Sequence, residues 1–269
     1  MPELPEITSR AREMQTELTG KTISAVTVLQ PKCLNIDPDA FQRSLAWAKI
    51  DEVNNHGKWI FTRTDKGWLL INLGMGGEIL LTSRDALPRK HRLLFDFTDC
   101  SVLAINFWWF GYAHYVPLHK LNEHEMTAKL GPNALDVSID ELTTLIHSNR
   151  TRVKAFLLDQ TRLAGIGNAY IHDILFLARL HPLRQLNTLS DSDIANLYEG
   201  IHKGLELALD RHGAFYEVDL YGNAGGFTAD EILIGYRENQ PCPRCGTLIQ
   251  KIKTGGTSSF ICPSCQAPR

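Results

Sequence analysis

The chain opens Met-Pro-Glu-Leu-Pro-Glu, and its second residue can do chemistry that an internal proline cannot. Methionine aminopeptidase removes an initiator methionine that precedes a small residue. Pro2 is therefore expected to become the first residue, with a secondary amine as its backbone nitrogen. An α-amino group titrates near pH ~8, about two units below a lysine, so a useful fraction is neutral and nucleophilic at neutral pH. Attack by such an amine on a sugar carbon or an aldehyde gives an iminium, the N-terminal version of Schiff-base catalysis. Glu3 and Glu6 stand where carboxylates could move protons for it. The same pentapeptide also suits a plain helix start, with Pro5 in the first turn and the acids complementing the dipole. Taken alone, these residues leave both readings open.

The other chemistry-bearing set lies at the far end. Cys242 and Cys245 form one pair and Cys262 and Cys265 another, in the pattern C-x2-C-x16-C-x2-C. That is the spacing of a four-thiolate zinc site on a β-hairpin. Residues 246–261 suit two short strands joined by a Gly255-Gly256 turn. A closed four-sulfur site is structural, so one zinc ion is expected to fold the hairpin and do no chemistry. Residues 240–269 carry Arg244, Lys251, Lys253 and Arg269 and no acid. A positive hairpin of this kind suits a phosphate backbone; it is equally a folding staple with a solvated face.

These two ends need a scaffold. At 269 residues and 43% hydrophobic content the chain can bury a sizeable core, and two domains are expected. Its net charge of −2 excludes an unspecific polycation; a nucleic-acid enzyme so charged must gather its basic residues on one face. No run of 18 apolar residues exists, so no membrane span is expected, and Glu3, Glu6 and Arg10 break any signal peptide. Six cysteines, four of them in metal spacing, point to a reducing cytoplasm, with Cys33 and Cys100 as buried thiols. Residues 6–18 place Ile7, Ala11, Met14 and Leu18 on one helical face. Strand-like runs follow at 22–29, 59–63, 68–73, 78–82, 93–97 and 102–107, as in a β-sandwich or barrel. After Gly131-Pro132-Asn133 the period becomes helical, at 138–148, 151–159 and 168–180. A further helix over 191–212 opens on Ser190-Asp191-Ser192-Asp193, an N-cap signature. Residues 213–234, with Gly222, Gly225 and Gly226, read as a mobile loop or a plain linker.

An N-terminal proline followed by glutamate, with a C-terminal four-cysteine finger, resembles the formamidopyrimidine-DNA glycosylase/endonuclease VIII family, and the resemblance runs along most of the chain. Lys58, in His-Gly-Lys-Trp, matches a family lysine that binds phosphate near the reacting sugar. Leu-Gly-Met-Gly-Gly at 73–77 is similar to the family's intercalation loop, with Met75 as wedge. Gly-Ile-Gly-Asn-Ala-Tyr at 165–170 is similar to the turn and second-helix start of its helix–two-turns–helix motif, where Asn168 would hold a phosphate. Lys154 matches another family lysine. In the residues themselves, Gly165 and Gly167 permit tight turning, and a helix opening near Asn168 would aim N–H groups at an anion or simply be N-capped.

Departures from the pattern are informative. Where the formamidopyrimidine enzymes have an Arg-Arg-Phe run whose arginine reads the orphaned cytosine, this chain has Trp108-Trp109-Phe110. An indole has one donor and no charge, so Trp108 cannot make that bidentate contact, although it can stack on any base or pack in a core. A histidine before the wedge loop is replaced by Asn72, and a hairpin arginine by Thr257.

The resemblance implies an α+β multidomain fold: an N-terminal β-sandwich with a flanking helix over 1–131, a helical domain with the helix–two-turns–helix and the glycine-rich loop over 132–234, and a zinc-binding β-hairpin over 235–269. It implies a cytoplasmic, monomeric glycosylase and abasic-site lyase of base-excision repair. The expected partner is double-stranded DNA with damaged bases or abasic sites, or single-stranded DNA. Pro2, Glu3 and Lys58 are the expected catalytic residues, supported by Glu6. Met75, Trp108, Phe110, Lys154, Asn168, Lys251, Lys253 and Thr257 are the expected DNA contacts. Two other classes stay open: a paralogue that binds damaged or abasic DNA with little base excision, and a zinc-ribbon RNA-binding module.

Overall fold

The computed structural model describes Met1–Ala267; Arg269, counted above among the basic residues of the hairpin, lies outside the described residues. Two compact units interleave in sequence. The first is Met1–Lys129 with His212–Gly226, the second Leu130–Arg211 with Phe227–Arg269. The three consecutive segments expected above differ from this division in two ways. Residues 212–226 return to the first unit, and the hairpin shares a unit with the helices.

In the first unit, helix α1 (Leu4–Leu18) buries Ile7, Ala11, Met14 and Leu18 along one stripe. Ile7, Met14 and Leu18 each contribute about 1.5–3 kcal/mol on burial. The stripe packs into a core shared with two four-stranded antiparallel sheets. One sheet orders β1 (Ile23–Val28), β6 (Leu93–Phe97), β7 (Ser101–Asn106) and β5 (Glu78–Ser83) as β1-β6-β7-β5. The other runs β2 (Ile50–His56), β3 (Trp59–Thr64), β4 (Trp68–Asn72) and β8 (Tyr112–Val116) in chain order. Of the sandwich or barrel left open by the strand pattern, this is the sandwich. Helix α2 (Pro38–Leu45), N-capped by Asp37, adds Phe41, whose ring meets Phe95 edge-on at 6.4 Å. Cys33 is a buried thiol as expected, but Cys100 is exposed, in the tight β6–β7 turn with φ 69°.

The second unit holds α3 (Ile139–His147), α4 (Val153–Leu158), α5 (Ile171–Leu177), α6 (Asp191–Asp210) and the hairpin β9 (Gln250–Thr254)–β10 (Thr257–Ile261). Helices α5 and α6 approach closely because Gly200 and Gly204, one turn apart, face Ile174. A Cβ at either position would lie 2.7 Å from an Ile174 atom. The helix expected to open at Asn168 instead opens at Ile171. Residues 168–170 are a turn, which Gly165 enters at φ 108° and the Gln160 side chain clamps through Gly165 N and Ile166 O, both at 2.9 Å.

Candidate active site

The N-terminal turn is held from two directions by one carboxylate. Glu6 Oε2 accepts from Glu3 N at 2.8 Å, closing the first turn of α1, and Oε1 accepts from Ala214 N at 3.0 Å. Pro2, Glu3 and Glu6 are all buried. The rest of α1 continues the theme. Arg10 donates to Val218 O and pairs with Glu13, Glu13 accepts from Leu220 N at 2.8 Å, and Glu17 accepts from Tyr221 Oη at 2.7 Å. Residues 6, 10, 13 and 17 lie on one helical face, and this polar stripe carries the chain from 214 to 221. Leu220 O also accepts from Leu81 N on β5. The segment read from sequence as mobile is thus fastened at five points, because its backbone groups are needed by buried side chains of α1. That fastening places Glu217 beside the N-terminus, 3.6 Å from the Met1 nitrogen. Burial pushes the Glu217 carboxyl up to about 7, the terminal ammonium opposing and the Glu6 charge adding to the shift. A cavity with room for one water molecule is lined by Pro2, Glu6, Arg10, Glu78 and Glu217.

Lys58 approaches from the two-residue turn between β2 and β3, which Gly57 enters at φ 56°. Burial lowers its pKa, while the charges of Glu3 and Glu6 act in the opposite sense. Asn72 ties this turn to the next: its Nδ2 donates to Lys58 O at 3.1 Å and its Oδ1 accepts from Gly74 N at 3.0 Å. Gly74 has φ 60°, and a Cβ there would lie 2.5 Å from Trp109 O, so glycine is required. Beyond it, Met75 and Trp109 exchange both backbone hydrogen bonds, at 2.9 and 3.1 Å, and the Trp109 and Phe110 rings meet edge-on at 6.1 Å. Met75, Trp109 and Phe110 are all exposed, forming an apolar prow on a pinned turn. Trp108, expected with Met75 and Phe110, instead lies over Gly76 and lines a separate groove. Alternation along the chain turns it away from Trp109. Trp109 carried no signal in the sequence that set it apart from Trp108.

In the second unit, Asn168 meets a residue that the sequence reading did not single out. Asn168 Nδ2 lies 3.4 Å from Tyr236 Oη, which lies 3.3 Å from Asn168 O. Tyr236 is exposed, and Asn168 Oδ1 is buried with no hydrogen-bond partner among the described residues. Asp173 on α5 fixes Tyr236 by accepting from Leu233, Ile234 and Gly235 N at 2.8–3.0 Å. The Tyr236 hydroxyl spends its proton on the Asn168 carbonyl, and the Asn168 amide keeps its second N–H as a donor beside the ring. Lys154, expected to touch DNA, is buried: its Nζ donates to Ser258 O at 2.6 Å, Ser259 Oγ at 2.9 Å and Thr254 Oγ1 at 3.1 Å. All three donors are spent on the hairpin, so it anchors β9–β10 to α4. Lys251, Lys253 and Thr257 are exposed on that hairpin.

Comparison with known proteins matches this arrangement part by part. The model of the formamidopyrimidine-DNA glycosylase N-terminal domain matches residues 1–106, that of the H2TH domain 130–218, and a zinc finger found in FPG and IleRS 239–268. A formamidopyrimidine-DNA glycosylase of Pelotomaculum thermopropionicum is 33% identical, with 99% of each chain covered. One of Lactiplantibacillus plantarum is 32% identical, with 98% of each covered. The chain belongs to the formamidopyrimidine-DNA glycosylase family. Among solved structures, a Lactococcus lactis FPG mutant in complex with a Fapy-dG containing DNA aligns at TM-score 0.90 and 26% identity, covering 99% of this chain and 100% of that one. Lactococcus lactis Fpg in complex with an abasic site containing DNA aligns at 0.89 and 26%, covering 98% and 99%.

As a member of this family of repair enzymes, the chain is a DNA glycosylase with one structural zinc. The four cysteines fit that ion. Their sulfurs all lie within 4.8 Å of one another, with separations of 3.9 Å (Cys242–Cys265), 3.4 Å (Cys245–Cys262) and 3.5 Å (Cys245–Cys265). Tetrahedral Zn–S bonds of about 2.3 Å would set sulfurs roughly 3.8 Å apart. Four thiolates leave no open position, so the metal holds the glycosylase hairpin, backed by Phe176, Ile234, Ile249 and Phe260.

Proposed function

We propose that this glycosylase is bifunctional, with the Pro2 amine, freed by removal of Met1, as nucleophile for base excision and for lyase chemistry at abasic sites. The observation that carries the reading is the two-sided grip of Glu6, which holds the residue after the initiator methionine in a buried turn beside Glu217 and the Lys58 turn. Its substrate is double-stranded DNA containing a damaged base or an abasic site, as in the solved complexes of the Lactococcus relatives. The target nucleotide leaves the stack, since its C1′ cannot be reached inside the duplex, and Met75, Trp109 and Phe110 fill the gap.

Pro2 N bonds to C1′ as the C1′–N bond to the base breaks, and the departing base takes up a proton. Glu3 protonates O4′ as the C1′–O4′ bond opens, leaving an iminium. Loss of a C2′ proton expels the 3′ phosphate, and water then hydrolyses the iminium and returns the amine. Lys58 in the first unit, and Asn168 with Tyr236 in the second, hold phosphates. Glu6 has both oxygens on backbone amides, so its role is positioning in place of the expected proton transfer. Trp108 supplies no base-reading donor pair, and selectivity for the opposite base is accordingly weak.

Borohydride trapping on abasic DNA tests the reading. A covalent adduct mapping to Pro2 is expected, with Pro2→Gly retaining partial activity through a primary amine. Trapping that persists when the N-terminus is blocked would assign the nucleophile to another residue.

A further inference from the structure

Glu217 has no part in the mechanism above, yet it stands beside the amine on which that mechanism depends. Its Oε1 lies 3.6 Å from the Met1 nitrogen, and its side chain is 12% exposed. The backbone around it is fixed. Glu217 N donates to Ala214 O at 2.9 Å, Glu217 O accepts from Gly225 N at 3.0 Å, and Arg10 holds the next carbonyl, that of Val218. Pro2 and Glu217 line the same cavity, which has room for one water molecule. Removal of Met1 moves the charged nitrogen to Pro2, so the new amine faces this carboxylate. The other acids of the cavity are committed or exposed: both oxygens of Glu6 accept backbone N–H groups, and Glu78 is exposed at the start of β5. The groups around Glu217 set its proton affinity. Burial is the largest effect and raises it, and the Glu6 charge raises it further. The terminal ammonium and the Arg10 guanidinium oppose both, and the carboxyl comes to about 7. A proton acceptor is most effective when its pKa lies near the working pH.

We propose that Glu217 is the general base for the Pro2 amine and carries its proton to the departing base. The proposal rests on the reading of Pro2 as nucleophile. The neutral secondary amine puts its lone pair into the bond with C1′, and the C1′–N bond to the base breaks with its electron pair leaving on the base. Glu217 takes the N–H proton as the new bond forms. It then delivers that proton to the base through the one-water cavity and is a carboxylate again. Glu3 acts afterwards, at O4′. At a preformed abasic site the amine meets an aldehyde, whose own oxygen takes up the N–H proton, and Glu217 is needed less.

The test compares single-turnover excision from a duplex carrying Fapy-dG, the lesion of the Lactococcus complex, with borohydride trapping on an abasic duplex. Glu217→Gln should slow excision about 100-fold or more, while trapping falls less than about tenfold. Glu217→Asp should recover part of the excision. The pH profile separates proton transfer from packing. Below pH ~6.5 the logarithm of the wild-type excision rate should fall with a slope of about two, from the amine and the carboxyl together, and that of Glu217→Gln with a slope of about one. Equal losses in both assays with matching slopes would mean that Glu217 only shapes the Pro2 turn, and overturn the proposal. Excision at the wild-type rate in Glu217→Gln would overturn it as well. Wild-type protein that fails to trap defeats the reading of Pro2 itself, whereas trapping with unimpaired excision in Glu217→Gln defeats only the role of Glu217.

Discussion

At the scale of single residues, Glu6 is the most exposed to a minimal change. Each of its oxygens accepts one backbone N–H. Glu6→Gln keeps one acceptor and turns an NH2 toward an amide that needs an acceptor. The loss should be about 1–3 kcal/mol of stability, with trapping slowed at least tenfold, read by thermal unfolding and single-turnover assays; unchanged stability would mean that the carboxylate is not the tether. Tyr236→Phe removes one exposed hydroxyl and should weaken abasic-DNA binding several-fold with no change in melting temperature. Asn72 makes a further point. Its amide is spent on Lys58 O and Gly74 N, so it braces two turns and adds no charge at a phosphate. Holding an intact nucleotide outside the helix costs a few kcal/mol, and a charged hydrogen bond to phosphate contributes roughly 1.5–3 kcal/mol. Cleavage at preformed abasic sites is therefore expected to outpace excision of damaged bases, and Thr257→Arg to narrow the gap. Equal single-turnover rates on both substrates would refute this. The four cysteines were legible in sequence because spacing alone defines their chemistry, whereas the position of Pro2 gave a candidate nucleophile and a plain helix start alike. Tyr236, Trp109 and Glu217 were not, since each matters through a neighbour distant in the chain.

At the scale of elements, β8 and the turn carrying Lys58 share an aromatic cluster that is sensitive to acid. Trp59 stacks on Tyr112 at 5.9 Å and meets His114 and His124, whose rings are joined Nδ1 to Nε2 at 2.8 Å. One nitrogen donates and the other accepts, so the pair cannot hold this contact with both rings charged. Burial, with the His124 charge, pushes His114 down to about 4. The unfolded chain then binds the proton more tightly, and the stability from neutral His114 is present above pH ~6.5 and lost as pH falls towards 4. The loss is on the order of 2–3 kcal/mol. His114→Gln should flatten melting temperature against pH across that window, and an unaltered slope would point to other groups. In the other unit, Lys154→Met should loosen β9–β10 by roughly 2–3 kcal/mol, seen as faster amide exchange there with zinc retained. Six of the eight sandwich strands were legible from alternation. Residues 50–56 hid because Asp51, Glu52, Asn54 and Asn55 swamp the buried Ile50 and Val53. Strand β8 hid because its histidine is buried by the aromatic cluster, which no local pattern reveals. The start of α5 was misplaced because Gly165-Ile166-Gly167-Asn168 looks like a cap, whereas the chain makes one more turn first.

At the scale of the whole molecule, the metal and the rest of the fold are separable. A chelator should unfold the hairpin around Cys242, Cys245, Cys262 and Cys265 and abolish tight DNA binding, while the first unit melts as before. Circular dichroism with metal analysis would show this, and an unchanged hairpin in zinc-free protein would contradict it. No helix among the described residues is long and apolar enough to cross a membrane. The broad architecture was legible because strand and helix periods segregate along the chain. The return of 212–226 was not, because glycine and polar residues signal a loop without saying whose backbone groups it satisfies.

That return has a consequence in time. Ala214 N, Val218 O and Leu220 N complete the partners of Glu6, Arg10 and Glu13, and a ribosome delivers them only after the intervening residues 130–211 have been made. At about 5–20 residues per second, the wait is on the order of ten seconds. Throughout it, Glu6, Arg10 and Glu13 of helix α1 lack those partners, and of the two grips on the Pro2 turn only the local one, Glu6 on Glu3 N, can form. On the proposed role of Pro2, the nucleophile is thus expected to be fully positioned only once residues 214–220 have been made, and a chain aborted before residue 212 to lack strand cleavage, which a borohydride trapping assay on the truncated protein would check.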